Sequence, residues 1–252
     1  MGKFESKGFP LERRMGDTIA IKGDYQYKAF YSSNTIQRFW HQSKSRLIQS
    51  LLPPSKGELV LDVGCGSGVI SNILGNLGAN VIGIDANPAA IDFASQTFVH
   101  QNIKFSVGLV DEEFLLPEPV DKIYCLEVIE HIYYFQGKGM LETFYKLLKT
   151  NGSIFLTTPN YSSLWPIIER ISDLFQATPR MAGEQHVEFY NIKKLEELCR
   201  DAGFSITHSL TTNFLAPWIS PLSWNMAVAL EHLELKLSCP IGSNLVFILK
   251  KN

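Results

Sequence analysis

Residues 61–68 read LDVGCGSG and residues 81–85 read VIGID, and these two stretches decide the fold. In the first, a short apolar run of strand type leads into three glycines at alternate positions. A backbone without Cβ atoms turns sharply there and lets a ligand touch the main chain. Apolar residues then recur at helical spacing up to residue 77, and Gly78 ends the pattern as a C′ residue does. The sequence therefore predicts a strand, a glycine-rich turn, a helix and a second strand, in that order.

Two aspartates give this turn its chemical character. Asp85 ends the second strand, where a carboxylate accepts hydrogen bonds from both ribose hydroxyls of a bound nucleotide. Asp62 precedes the first glycine by two residues, and its charge would repel a pyrophosphate but attract the ammonium group of a methionine moiety. The nicotinamide fingerprint G-x-G-x-x-G would place its third glycine at position 69, but the third glycine here is Gly68 and position 69 is valine. The pattern favours S-adenosylmethionine (SAM) over NAD, and a tight turn without a ligand is the remaining alternative.

The chain resembles the class I SAM-dependent methyltransferases, and within them the branch that contains the ubiquinone-type O-methyltransferases. The resemblance rests on four short motifs between about residues 59 and 203, which are DVGCGSG at 62–68, GID at 83–85, EVIEH at 127–131 and TTPN at 157–160. It implies a doubly wound, Rossmann-like α/β fold with a seven-stranded, mostly parallel sheet and with a helical cap and inserts. It also implies that the cofactor lies across the carboxyl edge of the sheet, in agreement with the switch-point rule for open α/β sheets.

The overall composition limits the partners and the compartment. The 252 residues carry a net charge of −2 and no block of Lys or Arg longer than two, so a nucleic-acid partner is not expected, because phosphate binding needs a basic surface. Four cysteines without a CxxC pair indicate neither a zinc knuckle nor a disulfide framework and favour a reducing, cytoplasmic compartment. Residues 1–14 lack the apolar segment of a secretory signal, and no stretch reaches membrane-spanning length. We expect one soluble domain with appendages that acts on a small molecule.

The chain divides into two segments on its apolar pattern. Residues 1–54 form a predicted N-terminal helical cap or lid, with an amphipathic helix over 34–52 that ends at two prolines. Residues 55–252 form the predicted SAM-binding core, in which strands alternate with helices as in a parallel sheet. The predicted strands are 59–63, 80–84, 103–107, 121–126, 153–157, 204–210 and 244–250, and the predicted helices of the core are 69–77, 88–100, 141–148 and 193–202. The resemblance further implies that the last two strands form an antiparallel pair.

Two inserts interrupt this alternation, at about residues 161–188 and 214–242. Both are rich in Trp, Phe, Ile and Pro, and together they hold three of the four tryptophans. Both leave the sheet at the edge where ligands bind, which is where substrate specificity is usually built. Their apolar character predicts an apolar or aromatic substrate, and a peripheral membrane contact or a homodimer interface would explain it as well.

The residues expected to act on the methyl acceptor follow the fourth strand. Methyl transfer from a sulfonium needs alignment of the reactants and a group that takes the proton from the acceptor. If a helical turn begins at Glu127, then Glu127, Glu130 and His131 share one face. With His186 they form a candidate site for Mg²⁺ or another divalent ion such as Mn²⁺ or Zn²⁺, and the relatives that carry E-x-x-E-H imply metal dependence. We predict His131, His186 and Glu130 as catalytic residues.

A metal-free arrangement of the same residues is the alternative. In it Glu127 contacts the methionine end of the cofactor, Glu130 caps a helix, and His131 alone is the base or orients the substrate. The sequence does not decide between the two arrangements.

The cofactor site is predicted residue by residue from the motifs. Leu109 follows Gly108 where the family commonly has an acidic residue that contacts the adenine amino group, so Asp111 is the nearest replacement. Ala86 is placed to border the adenine ring, and Leu126 to present main chain to the methionine end. The predicted cofactor-binding residues are Asp62, Gly64, Cys65, Gly66, Gly68, Asp85, Ala86, Asp111, Leu126 and Glu127.

These observations predict a SAM-dependent methyltransferase that acts on a hydroxyl group of a small, rather apolar molecule such as a phenol, a quinone precursor or a lipid-linked intermediate. Three alternatives stay open. A metal-dependent methyltransferase of RNA ends would share the E-x-x-E-H motif and a later histidine, but it would need a basic groove. A non-catalytic module that binds SAM or its demethylated product S-adenosylhomocysteine (SAH) would need no base. An NAD oxidoreductase is disfavoured by the glycine spacing.

Overall fold

A computed structural model describes residues 22–174, 186–237 and 240–252 of the chain. A seven-stranded sheet in the order β3-β2-β1-β4-β5-β7-β6 forms the centre of the fold. Its strands are β1 (Leu59–Val63), β2 (Asn80–Asp85), β3 (Ile103–Val107), β4 (Val120–Leu126), β5 (Leu148–Pro159), β6 (Ser205–Thr212) and β7 (Asn244–Lys250). β7 runs antiparallel to β5 and β6, and the other neighbouring pairs are parallel. The predicted Rossmann-like sheet is confirmed, together with the antiparallel pair at its end.

Helices flank this sheet. They are α1 (Tyr25–Phe30), α2 (Thr35–Leu51), α3 (Val69–Asn76), α4 (Pro88–Thr97), α5 (Tyr134–Leu147), α6 (Trp165–Leu174), α7 (Ile192–Asp201), α8 (Ala216–Ile219) and α9 (Trp224–Lys236), and a 3₁₀ turn covers Ile129–His131. Helix starts follow the local sequence. The Asn34 side chain accepts from the N–H groups of Ile36 and Gln37 at the start of α2, and Asn191 accepts from Lys194 at the start of α7.

The order of the strands fixes where a ligand can lie. The chain passes from β1 outward through β2 and β3, returns to β4 on the other side of β1, and continues from there. The carboxyl ends of β1 and β4 therefore border a crevice at the switch point of the sheet. The glycine-rich turn follows the last residue of β1, and the EVIEH motif follows the last residue of β4. Both therefore lie at this edge of the sheet.

Helix α2, which the sequence predicts as part of a cap, contributes to the core. Its residues Leu47 and Ile48 are buried in the same apolar cluster as Val60 and Leu74. Phe39 is fully buried against α8 and α9. Removing α2 would expose this apolar surface to water, so its location is fixed by packing on the sheet.

Three elements differ in length from the prediction by three or more residues. α5 begins at Tyr134, seven residues before the predicted start, because Gly137 and Gly139 lower the helix propensity of this segment and hide its pattern. The structure uses Gly137 for close packing, since a Cβ there would lie 3.2 Å from atoms of Ile129 and Tyr190. β5 has 12 residues instead of five, and α4 ends at Thr97 instead of residue 100.

Both inserts contain helices. The insert at 161–188 contains α6, and its residues 175–185 lie outside the described residues. The insert at 214–242 contains α8 and α9, and Glu231 of α9 accepts two hydrogen bonds from Arg46 of α2, at 2.6 and 3.0 Å. The prediction about the first 14 residues also lies outside the described part. Within the described part, no helix is long and apolar enough to cross a membrane.

Candidate active site

The glycine-rich turn brings main chain to the open edge of the sheet. Gly64, Gly66 and Gly68 have φ angles of 68, 49 and 79°, which side chains disfavour. A Cβ at Gly64 would lie 2.3 Å from Val128, and one at Gly66 would lie 1.5 Å from the Gln26 side-chain oxygen. The turn thus needs glycine both for its conformation and for the close approach of its neighbours.

Asp85 lies beside this turn at the end of β2. Its two carboxylate oxygens accept hydrogen bonds from the N–H groups of Gly66 at 2.7 Å and Asn87 at 2.8 Å. Burial raises the pKa of Asp85 above its ordinary value. A carboxylate has about four acceptor positions, so two remain for the hydroxyl groups of a ligand. The side chain is fixed in place by the main chain before any ligand arrives.

Ala86 and Asp111, which the sequence predicts for the adenosine end of a cofactor, follow β2 and β3. Ala86 is exposed just beyond Asp85, and the N–H group of Gly108 donates to the Asp85 carbonyl oxygen at 3.0 Å. The loop after β3 therefore starts next to Asp85. Asp111 lies in this loop, where its side chain accepts from the N–H group of Glu113 at 3.1 Å.

Asp62 lies near the end of β1 and is more deeply buried than Asp85. It is 2% exposed and accepts a hydrogen bond from the Ser71 hydroxyl at 2.6 Å. Burial raises the pKa of Asp62 to about 7, and the negative charge of Asp85 contributes to the rise. A cation bound nearby would favour the ionised form, which is the property expected of a residue that attracts an ammonium group.

Glu127 follows β4 and Leu126 in a left-handed conformation, with a φ angle of 55°. Its Oε1 accepts from the Thr157 hydroxyl at 2.7 Å and from the Asn244 amide at 3.3 Å. Lys44 of α2 places its Nζ 3.5 Å from Oε2, and its side chain is only 12% exposed. Sequence reasoning missed Lys44, although a lysine one helical turn before the buried Ile48 was a usable signal.

Glu130, His131 and His186 come together on the other side of β5. One potential ligand atom from each residue lies within 4.8 Å of the others. Glu130 is 1% exposed, its Oε2 accepts from the Thr158 hydroxyl at 3.0 Å, and its Oε1 has no hydrogen-bond partner among the described residues. Burial and the nearby charge of Glu127 raise the pKa of Glu130 to about 8. The predicted meeting of His186 with the EVIEH motif is observed.

The structure separates Glu127 from this group, contrary to the prediction that Glu127, Glu130 and His131 share one helical face. The 3₁₀ turn begins at Ile129, so Glu127 precedes it and does not lie on its surface. Consecutive residues of a strand point to opposite faces, so Thr157 and Thr158 direct their hydroxyl groups to opposite sides of β5. Glu127 is bound by the first and Glu130 by the second.

His186 is held from behind by two residues that sequence reasoning missed. Its Nδ1 lies 2.6 Å from the Glu169 carboxylate and 2.8 Å from the Tyr161 hydroxyl. Burial opposes protonation of His186, but the hydrogen bond to Glu169 and the charge of Glu130 outweigh it and raise the pKa of His186. Only the three-dimensional packing of α6 shows this, since Glu169 lies in an apolar helical pattern that predicts no chemistry.

Comparison with known proteins places the chain among methyltransferases. A family model described as a methyltransferase domain matches residues 35–209. The ubiquinone biosynthesis O-methyltransferase of Pseudomonas putida (strain GB-1) is 28% identical over 138 residues, which are 54% of this chain and 55% of that protein. The chain thus spans about half the length of the curated relatives that it matches.

Solved structures agree on the fold. A SAM-dependent methyltransferase from Thermotoga maritima has a TM-score of 0.65 at 18% identity, over 90% of this chain and 95% of that chain. Magnesium protoporphyrin IX methyltransferase from Synechocystis PCC 6803, solved with bound SAH, has a TM-score of 0.61 at 17% identity, over 91% of this chain and 94% of that chain. At these identities the similarity concerns the fold alone.

Proposed function

The chain belongs to the methyltransferase domain family, and from this premise we propose that it transfers a methyl group from SAM to a hydroxyl group of a small, apolar acceptor. The observation that carries the proposal is the edge formed by the glycine-rich turn and Asp85. It offers glycine backbone without Cβ atoms next to a carboxylate that already has both oxygens fixed by N–H groups. That arrangement suits the ribose of an adenosyl cofactor.

The methionine end of SAM carries a positive ammonium and a negative carboxylate, and the crevice offers a charge of the opposite sign for each. Glu127 suits the ammonium group and Lys44 the carboxylate, since these two side chains lie 3.5 Å apart and are largely buried. Asp62 adds negative charge below the turn. We assign main chain at Cys65 and Leu126 to the same end, and Ala86 and Asp111 to the adenosine end.

Bound SAM would supply a methyl group that is already activated by its sulfonium. The chain must then align an acceptor hydroxyl and take its proton. Glu130, His131 and His186 bring a carboxyl group and two imidazoles together at this edge. We assign them this proton transfer, with Glu130 made more basic by its burial.

We further propose that this group of three residues binds a divalent ion. The unpartnered Oε1 of Glu130 fits a ligand position, because a buried carboxylate oxygen without a partner is costly. Without Glu127 the set has two imidazoles and one carboxylate, which suits Zn²⁺ or Mn²⁺ better than Mg²⁺. Such an ion would lower the pKa of an acceptor hydroxyl group bound to it.

The inserts support an apolar acceptor. The second insert exposes Trp218 to 45%, Leu222 to 82% and Met226 to 64%. Large exposed apolar side chains of this kind suit contact with an apolar molecule. The relative from Pseudomonas putida is named an O-methyltransferase of ubiquinone biosynthesis, which agrees with a phenolic acceptor.

Calorimetric titration with SAM, SAH and NAD tests the cofactor. We expect micromolar affinity for SAM and SAH and no binding of NAD. Asp85→Ala should abolish binding of SAM, whereas the control Asp201→Ala removes an exposed aspartate at the end of α7 and should leave it unchanged. Binding of NAD in preference to SAM would overturn the proposal.

A methyl-transfer assay tests the acceptor and the ion. Catechols and lipid-linked phenols are the expected acceptors, and a short RNA with a free 3′ end tests the alternative substrate. EDTA should stop turnover, and Zn²⁺ or Mn²⁺ should restore it more fully than Mg²⁺. Turnover that is unchanged in EDTA would refute the metal and leave a histidine of the cluster as the base. Binding of SAM without turnover of any acceptor would favour a non-catalytic module.

A further inference from the structure

Glu169 of α6 is a buried carboxylate whose role the proposed function does not explain. It is 3% exposed, and a charge buried to this degree destabilises the fold unless other groups compensate it. Its Oε1 lies 2.6 Å from His186 Nδ1 and 2.9 Å from the Tyr161 hydroxyl. The carboxylate is therefore directed at the back of a residue of the candidate site.

The hydrogen bonds around Glu169 determine which nitrogen of His186 carries hydrogen. An ionised carboxylate only accepts, and a tyrosine hydroxyl has one hydrogen to donate. If Tyr161 donates to Glu169, then Nδ1 must donate as well, because it lies 2.6 Å from the same oxygen. In the neutral ring the hydrogen is then on Nδ1, and Nε2 has a free lone pair.

His186 is also fixed from the opposite direction. The N–H groups of Val187 and Glu188 donate to the Glu130 carbonyl oxygen at 2.9 and 3.1 Å, which joins the chain after His186 to the 3₁₀ turn. The rings of His131 and His186 have their centroids 5.0 Å apart. Because the two nitrogens of an imidazole point in different directions, an Nδ1 directed at Glu169 turns Nε2 away from it.

We propose that Glu169 is a positioning residue that holds His186 in the Nδ1–H form and directs Nε2 toward Glu130 and His131. Nε2 would then be available either to hold a divalent ion or to take the hydrogen of the acceptor hydroxyl, since both need an unprotonated nitrogen. The inference deepens the proposed function and rests on it for the identity of the acceptor. It also gives the first insert an additional role, because the helix that carries Glu169 belongs to that insert.

Long-range ¹H–¹⁵N NMR on histidine-labelled protein tests this form directly. Spectra at alkaline pH distinguish a ring with hydrogen on Nδ1 from one with hydrogen on Nε2, and the spectrum of His186→Gln assigns the signal. We expect Nδ1–H in the wild type and in Glu169→Gln, whose amide oxygen still accepts. In Glu169→Ala the Tyr161 hydroxyl should donate to Nδ1 instead, which moves the hydrogen to Nε2.

A matched control and a kinetic measurement complete the test. Glu231→Gln alters another buried carboxylate, which pairs with Arg46, and it should leave the His186 signal unchanged. Glu169→Ala should lower kcat about 10- to 100-fold with unchanged SAM affinity, and Glu169→Gln should largely restore kcat. An Nε2–H form in the wild type, or the same form in wild type and Glu169→Ala, would overturn the inference. Absence of methyl transfer in the wild type would refute the proposed function and leave the NMR result to decide this inference.

Discussion

The two ends of the carboxyl edge are built in different ways. At the glycine-rich turn, Asp62, Asp85 and the glycines between them lie within one short stretch. The two carboxylates accept hydrogen bonds from Ser71, Gly66 and Asn87, each at most 19 positions away in the chain. At the end of β4 and β5, Glu130 meets His186, and Glu169 of α6 holds His186 from behind. The first end depends on local sequence, and the second depends on how distant segments pack. A cofactor common to a family suits the first end, and an acceptor particular to this chain suits the second.

The largest effect that would separate the two ends is expected from Glu130→Gln. Glutamine keeps the size of the side chain and an oxygen for Thr158, but it cannot ionise and take up a proton. We expect the single-turnover rate of methyl transfer to fall roughly a thousandfold, as for the loss of a general base. The Kd of SAM, measured by calorimetry, should change by less than about threefold.

Glu127→Gln is the matched variant at the other carboxylate. It should raise the Kd of SAM about 10-fold through loss of a charge for the ammonium group, with a single-turnover rate at saturating SAM close to that of the wild type. If both variants changed the same quantity, the division between a cofactor end and an acceptor end would be wrong.

A second prediction concerns the glycine-rich turn itself. Gly66→Ala should raise the Kd of SAM by roughly 100-fold, because the added Cβ would lie 1.5 Å from the Gln26 oxygen and would occupy space beside the ligand. Gly57→Ala is the control, since Gly57 has a φ angle of 83° and no atom within 4 Å of an added Cβ. Both variants should lose about 1 kcal/mol of unfolding free energy, measured by urea denaturation, from the left-handed backbone. Equal SAM affinity in the two variants would exclude close approach of the ligand at Gly66.

The sequence was sufficient for most of the fold because the signals of β1, α3 and β2 are local. Apolar runs, Gly78 and the asparagine caps each act within one turn of the chain. The early part of α5 was missed for a physical reason. Gly137 lowers helix propensity, and the contacts with Ile129 and Tyr190 that favour it exist only in the folded chain.

The candidate site divides in the same way. Asp62, the glycines and Asp85 lie where the sequence predicted, because a turn between two strands determines them. The separation of Glu127 from Glu130 was not predictable, since it depends on which face of β5 each threonine occupies. Lys44 and Glu169 were missed because each lies in an amphipathic helix, where one charged residue is usually read as solvent-exposed.

A third prediction uses the titration of Asp62 to test the cofactor end. Burial raises the pKa of Asp62 in the folded protein to about 7, above the ordinary value of 3.8. The folded state then holds the proton more tightly than the unfolded state, so stability is full below the lower value and is lost as pH rises to the higher one. Asp62→Asn removes this loss. The difference in unfolding free energy between this variant and the wild type should therefore shift in favour of the variant by on the order of 2 to 4 kcal/mol between about pH 5 and about pH 8, measured by urea denaturation without SAM.

Affinity for SAM should follow the opposite trend. The ionised form of Asp62 attracts the ammonium group, so the Kd of the wild type should fall as pH rises through about 7, and Asp62→Asn should bind roughly 10-fold more weakly with little pH dependence. Calorimetry at about pH 6 and about pH 8 measures both. The same pH dependence in Asp62→Asn would assign the titration to another group.

The smallest effects are expected from the two threonines, and these give the most direct test of the comparison. Thr157→Val removes the hydroxyl that binds Glu127, and Thr158→Val removes the one that binds Glu130. Each loss is worth about 1 kcal/mol, or roughly a fivefold effect on the function that the carboxylate serves. Calorimetry and single-turnover rates should therefore show weaker SAM binding in the first variant and slower transfer in the second.

The pair is informative because the two substitutions are chemically identical and adjacent in sequence. General damage to β5 would affect both quantities in both variants, since each threonine is fully buried in the same strand. Opposite assignments in neighbouring residues can arise only if the two faces of β5 serve different ligands, because side chains alternate along a strand. Equal changes of SAM affinity in the two variants would mean that Glu127 and Glu130 act on one ligand, and the edge would then be a single site.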